Sequence, residues 1–279
     1  MGQVTETFVR DCLPVRDRDG HKGIFGKVHI LAGSVGFTGA PIFASHAAVR
    51  TGSGLVFLSV PKEIWPVAAG KSWEAMPAPV PAFPVLLDKM NASDAVLIGP
   101  GLGRSRKTDV RTLRLVEKVR PPLVLDADGI NAVAEHIDVL DTRRGRLTVL
   151  TPHDGEFLRL TQGKAIGPDR EGTAAAFARR HGCVLVLKGH RTITAFPDGE
   201  TFVNTTGNPG MAKGGSGDVL AGMILSLLGQ GIEPKKAVPG AVWLHGRAGD
   251  LAAARLGEYG MTPTDLLEEI PFAIRGVMG

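Results

Sequence analysis

The stretch Asn208-Pro209-Gly210-Met211-Ala212-Lys213-Gly214-Gly215-Ser216-Gly217-Asp218 leads directly into the apolar run Val219–Leu228. The apolar run is typical of a buried helix, so the glycine-rich segment lies where that helix begins. A helix N-terminus carries free N–H donors and the positive end of the helix dipole, and glycines let those donors approach an anion. Asp218 then falls in the first turn, beside any phosphate bound there. The alternative is a flexible loop with Asp218 as a helix cap, but three glycines in four residues exceed what a cap requires.

The glycine spacing distinguishes this chain from two common phosphate-binding folds. No Gly-x-x-x-x-Gly-Lys-Ser/Thr motif occurs, so a P-loop is excluded. The segment Gly99-Pro100-Gly101-Leu102-Gly103 spaces its glycines two and two apart, which does not match the Rossmann fingerprint. It follows the apolar run Ala95–Ile98, and it either brings backbone close to a ligand or forms a plain tight turn.

Upstream of the glycine-rich stretch, short apolar runs alternate with helical patterns. The predicted strands are Val28–Ala32, Leu55–Val60, Ala95–Ile98, Leu123–Asp126, Leu147–Leu150 and Val184–Leu187. The predicted helices are Pro41–Gly52, Thr108–Val119, Gly129–Ala134, Gly155–Thr161, Glu171–His181, Gly217–Leu228 and Lys235–Leu256. This alternation predicts an α/β fold, with a mostly parallel central sheet and helices on both faces.

Two further segments complete the predicted organisation. Thr192–Phe196 and Thr201–Asn204 flank Pro197-Asp198-Gly199, which predicts a hairpin. The proline-rich segment Met76–Pro84 is too apolar for a flexible linker and is predicted to be a rigid surface connection. Because no linker divides the chain, residues 1–279 are predicted to form a single domain.

The composition argues against several classes of protein. The chain is 43% hydrophobic and 22% charged, as ordinary globular proteins are, which argues against disorder. The net charge is only +4 and aromatic residues make up 5%, so we expect no nucleic-acid partner. No apolar stretch approaches the ~20 residues that span a bilayer, and residues 1–18 lack the apolar region of a secretory signal. We therefore expect a cytoplasmic protein with no membrane partner.

The two cysteines, Cys12 and Cys183, have no metal-ligand spacing. Cys183 begins the apolar run Cys183–Leu187 and is predicted to be a buried thiol.

Ligands of open parallel sheets bind at the carboxyl ends of the strands, so the residues after each predicted strand are candidate site residues. The loop Gly33–Ala40 either clasps a substrate or forms an ordinary turn into the next helix, with Pro41 expected at the first helical position. Asp126, Asp128 and Asn131 stand at the end of another strand. One of the two carboxylates is a candidate for capping the next helix and the other for facing the pocket.

Two other strand ends carry charged side chains. In Thr151-Pro152-His153-Asp154-Gly155-Glu156, the last residue either orients Mg²⁺ through water or favours the helix N-terminus, and His153 is either a ligand-binding or a structural residue. Lys188 directly follows a buried strand, and Gly189 lets the backbone approach a ligand. A cation in this place meets a phosphate, and the alternative is a lysine beside a hairpin turn.

Taken together and in this order, six segments resemble the ADP/ATP-dependent NAD(P)H-hydrate dehydratases, from the carbohydrate-kinase-like branch of the ribokinase superfamily. The resemblance covers roughly residues 20–275 and rests on Gly33–Ala40, Ile98–Gly103, Leu125–Asn131, Thr151–Glu156, Leu187–Thr192 and Asn208–Gly222. It implies a ribokinase-like fold. It also implies a carbon–oxygen lyase that dehydrates the S epimer of hydrated NADH or NADPH, while ADP (or ATP) is converted to AMP (or ADP) and phosphate.

The resemblance implies a role for each matching residue. Asp218 would be the catalytic base, and Glu156 would orient Mg²⁺ through water. The residues implied to contact the hydrated dinucleotide are Ala40, Gly103, His153 and Asp218. Those implied to contact the nucleotide are Lys188, Gly189, His190, Arg191, Thr192, Gly214, Gly215, Ser216 and Gly217.

Many relatives carry an N-terminal epimerase domain, whereas only about 20–25 residues precede the first predicted strand. We therefore expect that domain to be absent and a separate NAD(P)H-hydrate epimerase to supply the S form. The short form favours ADP over ATP, and the resemblance implies a homotetramer.

Two alternatives remain at this point. A hydroxymethyl kinase of the thiazole or pyridoxine type shares the glycine-rich loop and its aspartate, although the combination of Thr151–Glu156 with Asn208–Asp218 argues for the dehydratase. A nucleotide-binding sensor without activity would need no base, so the presence of Asp218 argues against it.

Overall fold

Ten strands build the central sheet of the protein: β1 (Gly2–Gln3), β2 (Lys27–Leu31), β3 (Leu55–Val60), β4 (Met76–Pro79), β5 (Ala95–Ile98), β6 (Leu123–Leu125), β7 (Thr148–Leu150), β8 (Val184–Leu187), β9 (Ile193–Ala195) and β10 (Thr201–Val203). In the computed structural model, which describes residues 2–279, their order is β1-β10-β9-β8-β7-β6-β5-β2-β3-β4. Strands β2 to β8 are parallel. Strand β9 runs antiparallel to both of its neighbours.

The helices lie on both faces of this sheet: α1 (Glu6–Arg10), α2 (Gly39–Arg50), α3 (Trp65–Lys71), α4 (Phe83–Asn91), α5 (Arg106–Lys118), α6 (Asp128–Ala134), α7 (Asp154–Leu160), α8 (Arg170–His181), α9 (Ser216–Gly229), α10 (Pro234–Gly260) and α11 (Pro263–Met278). Helices α1 to α3 and α9 to α11 pack on one face, and α4 to α8 pack on the other. In β5, Ala95 and Leu97 face the first layer, while Val96 and Ile98 face the second. The predicted mostly parallel α/β architecture is confirmed.

Helix α9, which follows the glycine-rich stretch, is the most deeply buried helix of the first layer. Every residue from Val219 to Gly229 is buried, which explains why the segment is apolar on all sides. The helix packs closely against α2, because a Cβ at Gly222 would overlap the carbonyl oxygen of Ala44. This packing holds the first turn of α9 at the carboxyl edge of the sheet, where a Cβ at Gly217 would lie 3.4 Å from Lys188 Nζ.

Two local predictions are wrong. Within Met76–Pro84, residues 76–79 form edge strand β4, which pairs with β3, and α4 begins at Phe83. Prolines are compatible with an edge strand because its outer side faces no neighbouring strand, so backbone N–H groups on that side are not needed for sheet hydrogen bonds. Pro41 is not at the first helical position, since α2 already begins at Gly39.

Other local predictions are confirmed. Strands β9 and β10 form the expected hairpin, in which the Phe196 N–H donates to Glu200 O at 2.9 Å. Cys183 is buried, and so is Cys12. Within residues 2–279, the structure contains no helix of sufficient length and apolarity to cross a bilayer.

Candidate active site

The predicted site segments meet at one edge of the sheet, where the parallel strands end. The loop Gly33–Ala40 follows β2, Gly99–Gly103 follows β5, Asp126 follows β6, Thr151 follows β7 and Lys188 follows β8. The adjacent loops are joined by backbone contacts, for example from Gly33 N–H to Pro100 O at 2.8 Å. The edge is therefore a continuous surface built from five strand ends.

Lys188 forms ion pairs with carboxylates from two neighbouring strand ends. Its Nζ lies 3.0 Å from Asp126 Oδ1 and 3.8 Å from Glu156 Oε2. Burial on its own lowers the pKa of Lys188, but the negative charges of Asp126 and Glu156 outweigh it, so the pKa of Lys188 is raised. Lys188 is consequently a permanent cation at neutral pH.

Asp126 is held in place by its neighbours. Its side chain is almost fully buried, and the Thr151 hydroxyl donates to Asp126 Oδ1 at 2.6 Å. A tight turn follows, closed by the Gly129 N–H donating to Asp126 O at 2.9 Å. Ala127 within this turn has a φ of 47°, a conformation that favours glycine, so the backbone is strained between Asp126 and Asp128. Sequence reasoning assigned no role to this turn.

Asp218 lies in the first turn of α9, facing the same cluster. Burial raises the pKa of Asp218 to about 7, and the negative charge of Asp126 adds to the increase, while Lys188 opposes it. Glu156 and Asp128 raise the pKa of Asp218 further. A carboxyl group with a pKa near neutrality can accept a proton and release it again at physiological pH.

The glycine-rich start of α9 leaves its backbone open to a ligand. No side chain caps the helix at Gly215, which has a φ of 106°, and a Cβ at Gly214 would meet no atom. The Ser216 hydroxyl is buried without a hydrogen-bond partner among residues 2–279. Buried His245 contacts the backbone of this turn, with its Nε2 2.9 Å from Ser216 O. This contact links residues 29 positions apart, and no local sequence pattern predicts it.

The segment predicted to contact the nucleotide, Lys188–Thr192, joins β8 to β9. His190 and Arg191 are exposed, and the Thr192 hydroxyl donates to Gly189 O at 3.0 Å. The base of this loop is held by Arg170, which donates to Lys188 O at 3.2 Å and pairs with Asp154 at 2.9 Å. The loop is exposed and lies beside Lys188, and its contacts with a nucleotide remain predictions.

Of the predicted hydrate contacts, Ala40 packs against the loop that follows β5, and Gly103 lies in that loop. Ala40 lies in the first turn of α2, and a Cβ at Gly101 would be 2.8 Å from the Ala40 Cβ. Gly103 has a φ of 69°, and its N–H donates to Asp128 Oδ2 at 2.8 Å. Because this N–H is already used, Gly103 can face a ligand only with its Cα and carbonyl groups.

His153 and Glu156 cap α7 reciprocally. The His153 Nδ1 accepts from the Gly155 N–H at 3.0 Å, and Glu156 Oε2 accepts from the His153 N–H at 2.9 Å. Both residues therefore have the structural role that the sequence left open. The His153 ring is nevertheless 57% exposed, and its Nε2 lies 3.5 Å from Glu156 Oε1. It therefore borders the acidic cluster, by which we mean the carboxylates of Asp126, Glu156 and Asp218. Their roles in binding the hydrate and Mg²⁺ remain predictions.

Comparison with known proteins identifies related chains over almost the full length. The family described as NAD(P)H-hydrate dehydratase matches residues 28–272. A bifunctional NAD(P)H-hydrate repair enzyme of Moorella thermoacetica is 42% identical over 98% of this chain. The chain spans about half the length of that relative, 54%. An ADP-dependent (S)-NAD(P)H-hydrate dehydratase of Neisseria meningitidis is 38% identical, over 91% of this chain and 87% of its own.

Solved structures agree with this result. The ADP/ATP-dependent NAD(P)H-hydrate dehydratase of Bacillus subtilis, co-crystallized with ATP/Mg²⁺, superposes with a TM-score of 0.84. It is 31% identical, and the match covers 99% of this chain and 98% of that one. A hydroxyethylthiazole kinase of Pyrococcus horikoshii has a TM-score of 0.67 at 16% identity over 96% and 94% of the two chains. That likeness shows the shared fold alone. The ribokinase-like architecture is confirmed by a ribokinase-like superfamily protein of Enterococcus faecalis, which is 27% identical with a TM-score of 0.88 over 99% and 96% of the two chains.

Proposed function

The chain belongs to the NAD(P)H-hydrate dehydratase family, and on this premise we propose that it dehydrates the S epimer of hydrated NADH or NADPH back to the reduced cofactor. The co-substrate is ADP, or less favourably ATP, which yields AMP or ADP together with phosphate. The proposal is supported by the name of the Neisseria relative, which specifies both ADP and the S form.

The observation that carries this proposal is the position of Asp218. Its carboxyl group has a pKa of about 7 and lies at the start of α9, beside the glycine-rich backbone and Lys188. In the proposed reaction, the ring hydroxyl attacks the terminal phosphoryl group of the nucleotide, and Asp218 accepts the hydroxyl proton. The C–O bond then breaks with loss of phosphate, and loss of a proton from the neighbouring ring carbon restores the double bond.

The remaining residues stabilise charge. The N–H groups of Gly214, Gly215 and Gly217 face the anion that develops on the transferred phosphoryl group, whereas the Ser216 N–H donates to Lys213 O at 3.2 Å. Lys188, held between Asp126 and Glu156, supplies a fixed positive charge to the nucleotide phosphates. The exposed loop Gly189–Thr192 binds the nucleotide next to it.

The acidic cluster has a donor set compatible with Mg²⁺. Asp126, Glu156 and Asp218 provide carboxylate oxygens against one lysine, and a divalent cation would relieve their mutual repulsion. Among residues 2–279, no group of three or more His, Cys, Asp or Glu side chains is arranged to hold a metal directly. We propose that the ion is held mainly by water and phosphate oxygens, with Glu156 orienting a water ligand. When bound, Mg²⁺ would neutralise phosphate charge.

We further propose the setting in which the enzyme works. Since the S epimer is the substrate, an NAD(P)H-hydrate epimerase activity must convert the other epimer. We also propose a cytoplasmic homotetramer, in keeping with the family resemblance.

The decisive assay mixes the protein with hydrated NADH, Mg²⁺ and either ADP or ATP, and follows the absorbance of the reduced nicotinamide. Recovery of the absorbance with ADP is expected, in proportion to the AMP and phosphate released. Absence of recovery with both nucleotides would rule out the dehydratase, and phosphorylation of a hydroxymethyl thiazole or pyridoxine instead would favour the kinase.

The variant Asp218→Asn tests the proposed base. An amide of the same shape cannot accept the proton, so we expect turnover to fall by about 100-fold or more. The affinity for nucleotide, measured by calorimetric titration, should remain within a few-fold of the wild type. Undiminished turnover would mean that another group removes the proton.

A further inference from the structure

A row of hydrogen bonds leads from the strand-end loop of β5 to the guanidinium group of Arg159. The Gly103 N–H donates to Asp128 Oδ2 at 2.8 Å, and Asn131 Nδ2 donates to Asp128 Oδ1 at 3.1 Å. Arg159 Nε then donates to Asn131 Oδ1 at 2.7 Å. Three elements therefore cooperate to orient one arginine: the β5 loop, the first turn of α6, and α7.

Among the described residues 2–279, Arg159 is held in one orientation and has no ion-pair partner. It lies in the last turn of α7, and helical side chains lean toward the helix N-terminus, so its guanidinium group reaches the first turn of α6. The side chain is exposed, and within residues 2–279 Nη1 and Nη2 have no hydrogen-bond or carboxylate partner. Two other arginines near the site are neutralised, Arg104 by Glu135 at 2.7 Å and Arg170 by Asp154 at 2.9 Å.

We propose that Nη1 and Nη2 of Arg159 bind a phosphate group of the hydrated dinucleotide. This inference rests on the proposed function. In the proposed function the ring of the hydrate lies beside Asp218, and the rest of a dinucleotide is long enough to extend over the neighbouring surface. Both hydrates carry a pyrophosphate, and the NADPH form also carries a 2′-phosphate. The planar guanidinium fork matches a phosphate, and fixing Nε in advance reduces the entropy lost on binding.

Asp128 and Asn131 act through Arg159 and are positioning residues. Asp128 links Gly103, which is predicted to contact the hydrate, to Asn131, which holds the arginine. The reacting end of the substrate and its phosphate end are thus recognised by one connected group of side chains. This assigns a purpose to two of the polar residues at the end of β6.

The test measures Arg159→Ala with both hydrates. We expect KM to rise roughly tenfold to a hundredfold, as for the loss of charge-assisted hydrogen bonds, while kcat and the KM for ADP stay within about twofold. A rise confined to the NADPH hydrate identifies the 2′-phosphate, and an equal rise for both identifies the pyrophosphate. No change in KM for either hydrate, or a loss of kcat at unchanged KM, overturns the proposal.

Two further variants separate recognition from structural support. Asn131→Ala leaves the charge but frees the guanidinium group, so we expect a smaller rise in KM for the same hydrate. Arg179→Ala removes an exposed arginine from the last turn of α8 and should leave both KM values unchanged. If wild-type protein repairs the hydrates and Arg159→Ala is indistinguishable from it, only this inference is wrong. Wild-type protein without repair activity overturns the proposed function and the inference together.

Discussion

The Asp218 carboxyl group illustrates how a reactive side chain lowers the stability of the fold that holds it. Burial and the charge of Asp126 raise the pKa of Asp218 to about 7 in the folded state, against an ordinary value of 3.8. Below pH 3.8 both the folded and unfolded states hold the proton. Between pH 3.8 and about 7 only the folded state holds it, so this contribution to stability is lost as pH rises through the folded pKa.

The wild type loses this stability as pH rises, whereas Asp218→Asn does not. The free energy of unfolding of the variant should therefore increase relative to that of the wild type as pH rises. We expect the difference in the free energy of unfolding to grow between pH 4 and pH 7, to at most about 4 kcal/mol, and to level off above. Urea denaturation at pH 4, 5.5 and 8 measures it, because other titrating groups cancel in the difference. The exposed Glu63→Gln is the matched control. A difference independent of pH would contradict the raised pKa of Asp218.

Lys188 makes the opposite contribution to the stability of the fold, because its positive charge neutralises the carboxylates of Asp126 and Glu156. Lys188→Ala should weaken binding of ADP with Mg²⁺ by roughly tenfold to a hundredfold, because a charged contact to the phosphates is lost. Calorimetric titration gives the dissociation constant, and the exposed Lys62→Ala serves as the control. An unaltered dissociation constant would show that Lys188 does not contact the phosphates.

At the scale of elements, the contact between α2 and α9 determines where the catalytic turn lies. A Cβ at Gly222 would overlap the Ala44 carbonyl oxygen and lie 2.9 Å from the Ala47 Cβ, and backbone cannot move aside cheaply. Gly222→Ala should therefore lower the free energy of unfolding by about 1–3 kcal/mol, despite the higher helix propensity of alanine.

The matched control is Gly276→Ala in α11, where a Cβ would meet no atom. This variant should raise the free energy of unfolding by about 0.5–1 kcal/mol. Thermal melting of both variants shows whether Gly222→Ala lowers the stability while Gly276→Ala raises it. A stabilising Gly222→Ala would contradict the close packing.

The elements with strong periodic patterns could be predicted from the sequence, and those that depend on a partner could not. Parallel strands such as β5 are buried on both sides, so their apolar runs stand out, and α9 is apolar for the same reason. Strand β4 reads Met-Pro-Ala-Pro and owes its conformation to pairing with β3. Its prolines alone indicate only a rigid segment.

At the scale of the whole molecule, the proposed tetramer predicts a particular mass. Four large hydrophobic side chains between residues 65 and 76 are exposed, and among them Trp73 is 82% exposed. Light scattering should give four times the mass of one chain, and Trp73→Glu should lower it if that surface lies in an interface. Val15→Glu, at a residue that is 87% exposed near the N-terminus, is the control. Wild-type protein with the mass of a single chain would contradict the tetramer.

The site could be predicted in part because parallel strands bring their carboxyl ends together. That rule locates Asp126 and Lys188 without any knowledge of contacts, and the apolar run Val219–Leu228 locates the glycine-rich turn at the start of a helix. It cannot supply the links between distant segments, such as that of Thr151 to Asp126 or of His245 to Ser216. Those links depend on the register of neighbouring elements, which short sequence patterns do not encode.

The pairing of β1 with β10 has a consequence for biosynthesis. Gly2 and Gln3 pair with Phe202 and Val203, so strand β1 leaves the ribosome about 200 residues before its partner strand is made. At roughly 5–20 residues per second this delay is on the order of 10–40 seconds. Helix α9, which carries Asp218, is made later still, although it packs on α2 near the beginning of the chain. The nascent protein therefore cannot place Asp218 against α2 until residues 216–229 of α9 have been made.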